Sequence, residues 1–516
     1  TIHRVYESAI RAAYINFRKK GRNERLEAFV NLMDQSRARQ LRRGLQNSHA
    51  LKISGIPEVL LEEEHHLRKL LANFEKQKQL YLHEGIELSH PDITILSDTI
   101  RQIEERYDYL VKVFESQFPK YYQAKYDDKP ILIKELQARL TTDKAILQFF
   151  TGEYFLYSLL IRADTVLVLE RPRDFPLIEL VRNIREGIAD YHTGNQPLSM
   201  LGDFTELYIN SASDLHAKLL APLQHFLPKR LTIIPDDVLG YLPFEILLSA
   251  RPDRVTAFHE YPYFFKNHSL SYCYSIALLE EMEAKREVVA NIKPCLTAAP
   301  FCSKTSPEQL PFESLPVLKL RADSLVALPF SRHEAAVVQQ VTQGETLYGK
   351  KATINSFIHH APDYRILHLA THAFADDEGR VYAYLGFASA EEGVNHEKYY
   401  IKDIYNLSLN TDMVVLSACQ TGTGVLQKGE GVISIARAFA YAGSKSIITS
   451  LWKIDDQSTS IIMKYYYSLL AKGLPKDIAL QEAKLFFIKE RSGIKAHPFF
   501  WSAFISIGDM RPFIQP

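Results

Sequence analysis

A histidine and a cysteine each stand where a predicted strand ends, and together they could perform nucleophilic chemistry. His372 follows the apolar run "RILHLAT", and Cys419 follows "DMVVLSA", 419 − 372 = 47 residues later. If the two strands are parallel neighbours, their carboxyl ends meet in one crevice, where imidazole and thiol face each other. A nearby imidazole favours the thiolate, which is the reactive form of cysteine. The pattern predicts acyl transfer to Cys419 with His372 as the base.

Small residues after the cysteine are suited to binding a peptide. The segment "QTGTG" leaves room for an extended chain and allows backbone N–H groups to point inward. The amides of Cys419 and of Ala373, the residue after His372, could bind the developing oxyanion, each contributing about 3 to 4 kcal/mol.

Each of these residues also has a structural interpretation. A buried cysteine at a strand end is commonly inert, and a lone histidine is commonly a hydrogen-bonded core residue. His368 lies four residues before His372 with the same strand parity, so it competes for the role of base. Because His368 lies deeper in the apolar run, we interpret it as the structural histidine.

The overall composition is that of an ordinary globular protein of several domains. The 516 residues are 46% hydrophobic and 24% charged. The 61 Lys and Arg balance the 61 Asp and Glu, so direct DNA binding or attraction to anionic lipid is not expected. The four cysteines have no CxxC pair, which argues against disulfides and zinc.

No targeting or membrane segment is evident in the sequence. No apolar run reaches the roughly 20 residues of a membrane span, and the first residues do not resemble a signal peptide. We therefore expect a soluble cytoplasmic protein with no membrane association, no cofactor and no metal. The chain begins at Thr1 rather than Met, which leaves an upstream extension of the natural protein open.

Three segments differ in their sequence pattern. Residues 1–135 have almost no strand signal, and apolar residues spaced by three and four over 93–114 predict a long helical hairpin. From residue 136, short apolar runs alternate with helical segments, which predicts an α/β sheet covered by helices. A second unit of the same type follows, so the predicted domains are 1–135, 136–275 and 276–516.

Several longer segments resemble one known family. "LHLATHA", "LSACQTGTG" and "GEGVISIARAFAYAGSKSIITSLWKIDDQST", with the closing "HPFFWSAFISIG", resemble the CHAT family, caspase-related cysteine peptidases often found behind tetratricopeptide repeats. The resemblance spans roughly residues 140–510, and the spacing of 47 is close to the roughly 50 residues between a caspase histidine and its cysteine. It implies a His372–Cys419 dyad in a caspase-like, doubly wound sheet. It also implies a duplication, with a degenerate unit at 136–275 and an active unit at 276–516.

The resemblance has further implications for the other residues. It implies that the helical region is the tail of a repeat array, with "SRARQL" as the joining segment. Where many relatives have Gly after the histidine, this chain has Ala373, and where basic-specific relatives often have Asp before the nucleophile it has Ser417. Asp455 and Asp456 are candidates for substrate binding, with helix N-capping as the alternative for Asp456.

The leading hypothesis is a cysteine endopeptidase that cleaves a protein substrate. It would stay latent until an activating or inhibiting protein or ribonucleoprotein engages the helical region or upstream repeats, and the resemblance implies a role in bacterial defence or cell death. The alternatives are a catalytically silent scaffold that binds protein partners and a flavodoxin-like small-molecule enzyme. Arg37 and the arginines of 39–43 could form a contact patch, although a solvated helix face is the favoured interpretation.

Overall fold

The structure is a computed structural model that describes most of the chain in two compact units. One unit comprises 43–129, and the other comprises 1–42 together with 130–516. The described residues are 2–21, 23–37, 56–83, 90–118, 130–189, 201–253, 257–284, 292–302, 327–374, 383–391, 394, 396–418, 425–427, 431–452, 456–491 and 493–513. Within these ranges, no helix has both the length and the apolarity needed to cross a membrane.

The helices occur in both units. They are α1 Ile2–Lys20, α2 Asn23–Gln35, α3 Glu58–His83, α4 Pro91–Gln117, α5 Ile133–Arg139, α6 Leu177–Ala189, α7 Leu201–Leu219, α8 Ile276–Ala284, α9 Ser331–Thr342, α10 Ile354–His360, α11 Ile401–Ile404, α12 Ile435–Tyr441, α13 Asp456–Ala471 and α14 Lys476–Lys489. The predicted helical N-terminal region is confirmed.

The smaller unit contains the predicted pair of long helices, α3 and α4. Its core is formed by Leu67 of α3 with Leu110 and Phe114 of α4, all buried. Helix α4 begins at Pro91, whose fixed φ suits the first helical position, and the side chain of His90 accepts the amide of Asp92. The apolar spacing read from the sequence therefore corresponds to a packed helix face.

The strands form one large sheet and two small ones. They are β1 Lys144–Thr151, β2 Phe155–Arg162, β3 Val166–Pro172, β4 Arg230–Ile234, β5 Ser269–Tyr272, β6 Lys293–Ala299, β7 Glu345–Tyr348, β8 Tyr364–Ala370, β9 Ala373–Phe374, β10 Tyr384–Ala388, β11 His396–Tyr400, β12 Met413–Ser417, β13 Val425–Gln427, β14 Gly431–Ile433, β15 Ser446–Ser450 and β16 Phe504–Gly508. The large sheet has the order β3-β2-β1-β4-β5-β16-β15-β12-β8-β6-β7. The α/β class predicted from the sequence is confirmed.

The large sheet contains two blocks of parallel strands that run in opposite directions. Strands β1, β4, β5 and β16 are parallel to one another, and β15, β12, β8, β6 and β7 form the second parallel block. The blocks meet at the antiparallel pair β16–β15. The carboxyl ends of β1, β4 and β5 therefore lie at one edge of the sheet, and those of β8 and β12 lie at the opposite edge.

An ion-pair cluster joins the amino ends of three strands in the second block. Asp412, directly before β12, accepts hydrogen bonds from Arg365 of β8 (2.9 Å) and from Lys445, directly before β15 (2.9 Å). Burial by itself would raise the pKa of Asp412, but the bonds and charges of Lys445 and Arg365 outweigh it and hold this pKa below its usual value. One carboxylate thus fixes the relative positions of strands that carry predicted site residues.

Arg37 is not on a solvated helix face, so the favoured interpretation of this residue was wrong. Its side chain is 5% exposed and lies just beyond α2. Its Nη1 donates to the carbonyls of Pro235 (2.6 Å) and Ile234 (3.4 Å), and Nη2 lies 3.6 Å from Oδ2 of Asp236. Arg37 therefore belongs to the interior at the end of β4, and the other arginines of the predicted patch lie outside the described residues.

The substitution Asp412→Asn is expected to lower the free energy of unfolding by about 2 kcal/mol near neutral pH, because it removes hydrogen bonds to a charged group. The contribution of Asp412 is fully present above the unfolded aspartate pKa of about 3.9 and is lost as pH falls through its lower folded pKa. Urea unfolding at several pH values measures this. Asp164→Asn, at a surface ion pair with a 66% exposed carboxylate, is the control and should cost under about 1 kcal/mol. If Asp412→Asn lowered the free energy of unfolding by the same amount below the folded pKa of Asp412 as at neutral pH, the ionised Asp412 would not be the source of this stability.

Candidate active site

The candidate site lies at the carboxyl edge of the second parallel block. Ala299 at the end of β6 and Ala370 at the end of β8 pack with Ala335 of α9. The half-buried side chain of Cys302 packs against the same cluster. The amide of Leu328 donates to the carbonyl of Phe301 (2.8 Å), which brings the chain before α9 to this edge. Helices α9 and α13 thus both begin beside the strand ends.

His372 follows β8 and is held through its backbone and its ring. Its carbonyl accepts the amide of Gly386 (2.9 Å), and the hydroxyl of the preceding Thr371 donates to the Gly386 carbonyl (2.6 Å). The imidazole packs edge-on against Phe301 with ring centroids 5.0 Å apart, and the residue is 9% exposed. The imidazole is therefore confined to a narrow orientation while retaining some access to solvent.

The amide of Ala373 is directed away from its neighbouring strand. In the antiparallel pair β9–β10, Ala373 is opposite Leu385, between the pairs His372–Gly386 and Phe374–Tyr384. Hydrogen-bonded and non-hydrogen-bonded pairs alternate along such a ladder, and Gly386 donates to His372. The Ala373 N–H therefore points to the side of β9 that no other described strand pairs with.

Ser417 is the last residue of β12 and pairs with Ala370 of β8. It is 7% exposed, and its Oγ has no hydrogen-bond partner among the described residues. Ser450, the last residue of β15, donates its hydroxyl to the carbonyl of Ala418. The chain that leads into Cys419 is thus fixed by both neighbouring strands.

The predicted site residues are only partly described. Cys419 and Asp455 lie outside the described residues. Asp456 is the first residue of α13, and its Oδ2 accepts the amide of Phe330, directly before α9, at 2.6 Å. This carboxylate therefore joins the starts of two helices.

His368 lies in the interior beneath this edge. It is fully buried, with Nδ1 3.0 Å from the hydroxyl of Tyr467 and Nε2 3.0 Å from Oε1 of Glu334. The Nε2–Oε1 pair is close without the alignment of a hydrogen bond, so the contact is electrostatic. Tyr467 belongs to α13 and Glu334 to α9, so His368 anchors both helices to β8.

The other three cysteines differ in burial. Cys273 and Cys295 are buried, and burial raises the pKa of each thiol to about 12. Cys302 is half-buried next to the end of β8. Across the described ranges, no group of three or more His, Cys, Asp or Glu side chains is arranged to hold a metal ion.

Sequence reasoning assigned no role to Phe301, Thr371 or Gly386, which together hold His372. Phe301 ends the predicted strand "PCLTAAPF", but its contact depends on the register of β6 against β8. Gly386 reaches His372 only because β10 returns antiparallel to β9. Neither pairing leaves a local signal in the sequence.

The chain belongs to the CHAT domain family, whose family model matches residues 210–509. Tetratricopeptide repeat protein 28 of Homo sapiens is 32% identical over 106 residues, and its Mus musculus counterpart is 30% identical over 106 residues. Each match covers 20% of this chain and 4% of the relative. The predicted family is confirmed.

Two solved structures are similar in backbone path. Saccharomyces cerevisiae separase, in a separase–securin complex, has a TM-score of 0.48 at 8% identity, covering 81% of this chain and 34% of that chain. The Arg-specific cysteine proteinase gingipain R has a TM-score of 0.38 at 10% identity, covering 66% of this chain and 75% of that chain.

Iodoacetamide at neutral pH is expected to leave Cys273 and Cys295 unmodified in the native protein. A thiol with a pKa near 12 is ionised roughly a thousandfold less than an ordinary cysteine. Both should react after unfolding in urea, which peptide mass spectrometry can quantify for each cysteine. Native-state modification of either residue at the rate of a free thiol would contradict the assigned burial.

Proposed function

We propose that the chain is a cysteine endopeptidase that cleaves a protein substrate with His372 as base and Cys419 as nucleophile. The observation that carries the proposal is the parallel pairing of Ala370 with Ser417. His372 and Cys419 each follow these paired residues by two positions. Neighbouring strands are about 4.8 Å apart, and two residues span at most about 7 Å, so the chain is short enough to bring thiol and imidazole together.

Contacts of the described residues support the individual roles. The ring of Phe301 and the backbone bonds to Gly386 limit the motion of the His372 imidazole, as a general base requires. The N–H of Ala373 is directed away from β10, as an oxyanion donor must be. The unpaired, buried hydroxyl of Ser417 suits contact with a neutral substrate side chain, and Asp455 and Asp456 remain candidates for the rim of the cleft.

We further propose control of this site by a protein or ribonucleoprotein partner. The helices of 43–129 form a separate compact unit, which offers a surface for such a partner. The similarity to a tetratricopeptide repeat protein supports interaction of the chain with protein partners. The duplicated arrangement of a silent unit at 136–275 and an active unit at 276–516 belongs to the same proposal.

The proposal predicts that Cys419→Ala abolishes cleavage of a proteome-derived peptide library, because the nucleophile is lost. His372→Ala should reduce the rate by about a hundredfold to ten-thousandfold, the usual contribution of a general base. Mass spectrometry of the products, with and without a cell extract that supplies partners, measures both effects. Cys302→Ala, at the half-buried thiol near the site, is the matched control and should retain cleavage.

Equal cleavage by the native chain and the Cys419→Ala variant would end the proposal. A native chain that cleaves nothing with any extract, yet retains partners on affinity capture that a variant lacking 43–129 loses, would favour the silent scaffold instead. Full activity of the isolated chain would contradict partner control while leaving the peptidase assignment intact.

A further inference from the structure

Two charged residues at the end of α2 are buried against the first parallel block. Asp34 is 3% exposed, and its carboxylate accepts the amides of Ile276 (2.5 Å) and Ala277 (3.2 Å) at the start of α8. Arg37 binds the end of β4 and Asp236, whose Oδ2 also accepts the amide of Thr151 at the end of β1 (2.6 Å). The end of α2 therefore contacts the carboxyl ends of β1 and β4 and the helix that follows β5.

Stability alone does not account for the burial of Arg37. Among the described residues, its Nε and Nη2 have no hydrogen-bond acceptor, and the Asp236 carboxylate lies 3.6 Å from Nη2. Burying a guanidinium costs free energy that a well-packed apolar side chain would not incur. Desolvation accordingly lowers the pKa of Arg37, although Asp236 and Asp34 offset part of the effect. The position of Arg37 is therefore set by specific polar partners at the end of β4 and not by apolar packing.

A turn connects Asp236 to the strands that follow Cys419 in the chain. Residues Asp237–Tyr241 form a 3-10 helix directly after Asp236, and Asp237 has a positive φ of 51°. A left-handed backbone conformation is uncommon for residues other than glycine, so neighbouring contacts are needed to hold the turn in this conformation. The turn packs against β13 and β14.

β13 and β14 follow the candidate nucleophile closely in the chain, so the contact of the turn with them concerns the candidate site. β13 begins 425 − 419 = 6 residues after Cys419, which follows β12. The turn, however, follows β4, whose carboxyl end lies at the edge of the sheet opposite to that of β12. The chain after the candidate nucleophile is therefore held at the far edge of the sheet.

A second set of contacts connects the same two regions. Tyr274 lies two residues before Ile276, whose amide Asp34 binds, and its hydroxyl hydrogen-bonds to the side chain of Ser434. Ser434 directly follows β14 and caps α12 by accepting the amide of Arg437 (3.3 Å). The end of α2 is thus connected through Asp236 to the turn beside β13 and β14, and through the start of α8 and Tyr274 to Ser434.

Helix α2 also binds the point at which the chain returns from the smaller unit. The side chain of Asn31 accepts the amide of Ile131 (2.8 Å) and donates to its carbonyl (3.0 Å). Asn31 thus fixes Ile131, two residues after the smaller unit ends, to the helix that precedes Arg37.

We propose that Arg37 is a positioning residue that, through Asp236 and the Asp237–Tyr241 turn, holds β13 and β14 in place. The effect of Arg37 on the reactivity of Cys419 rests on the proposed function. The effect of Arg37 on the positions of β13 and β14 does not depend on that function.

The test measures amide hydrogen exchange of the full chain in Arg37→Met and in a matched control, Arg230→Met. Arg230 begins β4 and makes a bidentate pair with Asp477 (2.8 and 2.9 Å), so it is a half-buried, ion-paired arginine at the other end of the same strand. Arg37→Met should accelerate amide exchange in 425–427 and 431–433 by about tenfold, because local opening of these two strands should become about ten times more favourable. Arg230→Met should leave those amides unchanged even where its loss of Tm is as large. Equal acceleration in both variants, or none in Arg37→Met, would overturn the proposal.

Two further measurements use the variant Arg37→Lys and the kcat of Arg37→Met. Should Arg37→Met fail to fold, Arg37→Lys retains the charge with one donor group and should give a smaller acceleration in the same amides. In the peptide cleavage assay, Arg37→Met should lower kcat about tenfold at unchanged KM, because a misplaced chain after Cys419 affects the positioning of the nucleophile and not the binding of the substrate. A native chain that shows no peptidase activity even with the cell extract that supplies partners refutes the proposed function, and the exchange measurement still decides the role of Arg37.

Discussion

The pairing of β8 with β12 is the constraint on which the candidate site depends. A shift of one residue in this register would turn every side chain of one strand to the other face of the sheet. The observed register aligns Ala370 with Ser417, and Asp412, Arg365 and Lys445 fix it at the amino ends of the strands. Side chains on both faces of β8 and β12 are buried, so an alternative register would require both faces to repack.

Buried polar contacts connect the strands of the second parallel block to helices α9 and α13 and limit the motion of the strand ends. His368 connects β8 to Glu334 and Tyr467, so two helices are anchored by one fully buried imidazole. Asp456 joins the starts of the same two helices. A reactive site requires such support, because small displacements of a catalytic group reduce rates strongly. The rigid scaffold and the Phe301 contact together restrict where the His372 ring can lie.

Much of this fold could be predicted from local patterns. Strands β8 and β12 are apolar runs bounded by polar residues, and α4 has apolar residues at helical spacing, so both were correctly placed. Strand β5, "SLSY", is too short and polar to be recognised alone, although every one of its residues is buried in the sheet. The opposed direction of the two parallel blocks depends on where β16 inserts, which no local pattern encodes. Arg37 was misassigned for a similar reason, because its burial depends on Ile234, Pro235 and Asp236, about 200 residues away.

The strand that joins the two blocks also sets the order in which the molecule can be assembled. β16 comprises 504–508 and occupies the centre of the large sheet, between β5 and β15. A ribosome delivers those residues after every other strand that the structure describes, so β5 and β15 emerge as unpaired edges that would attract other chains. Until translation has passed this point the sheet remains in two halves, so the two parallel blocks are joined into one sheet only after residues 504–508 have been synthesised.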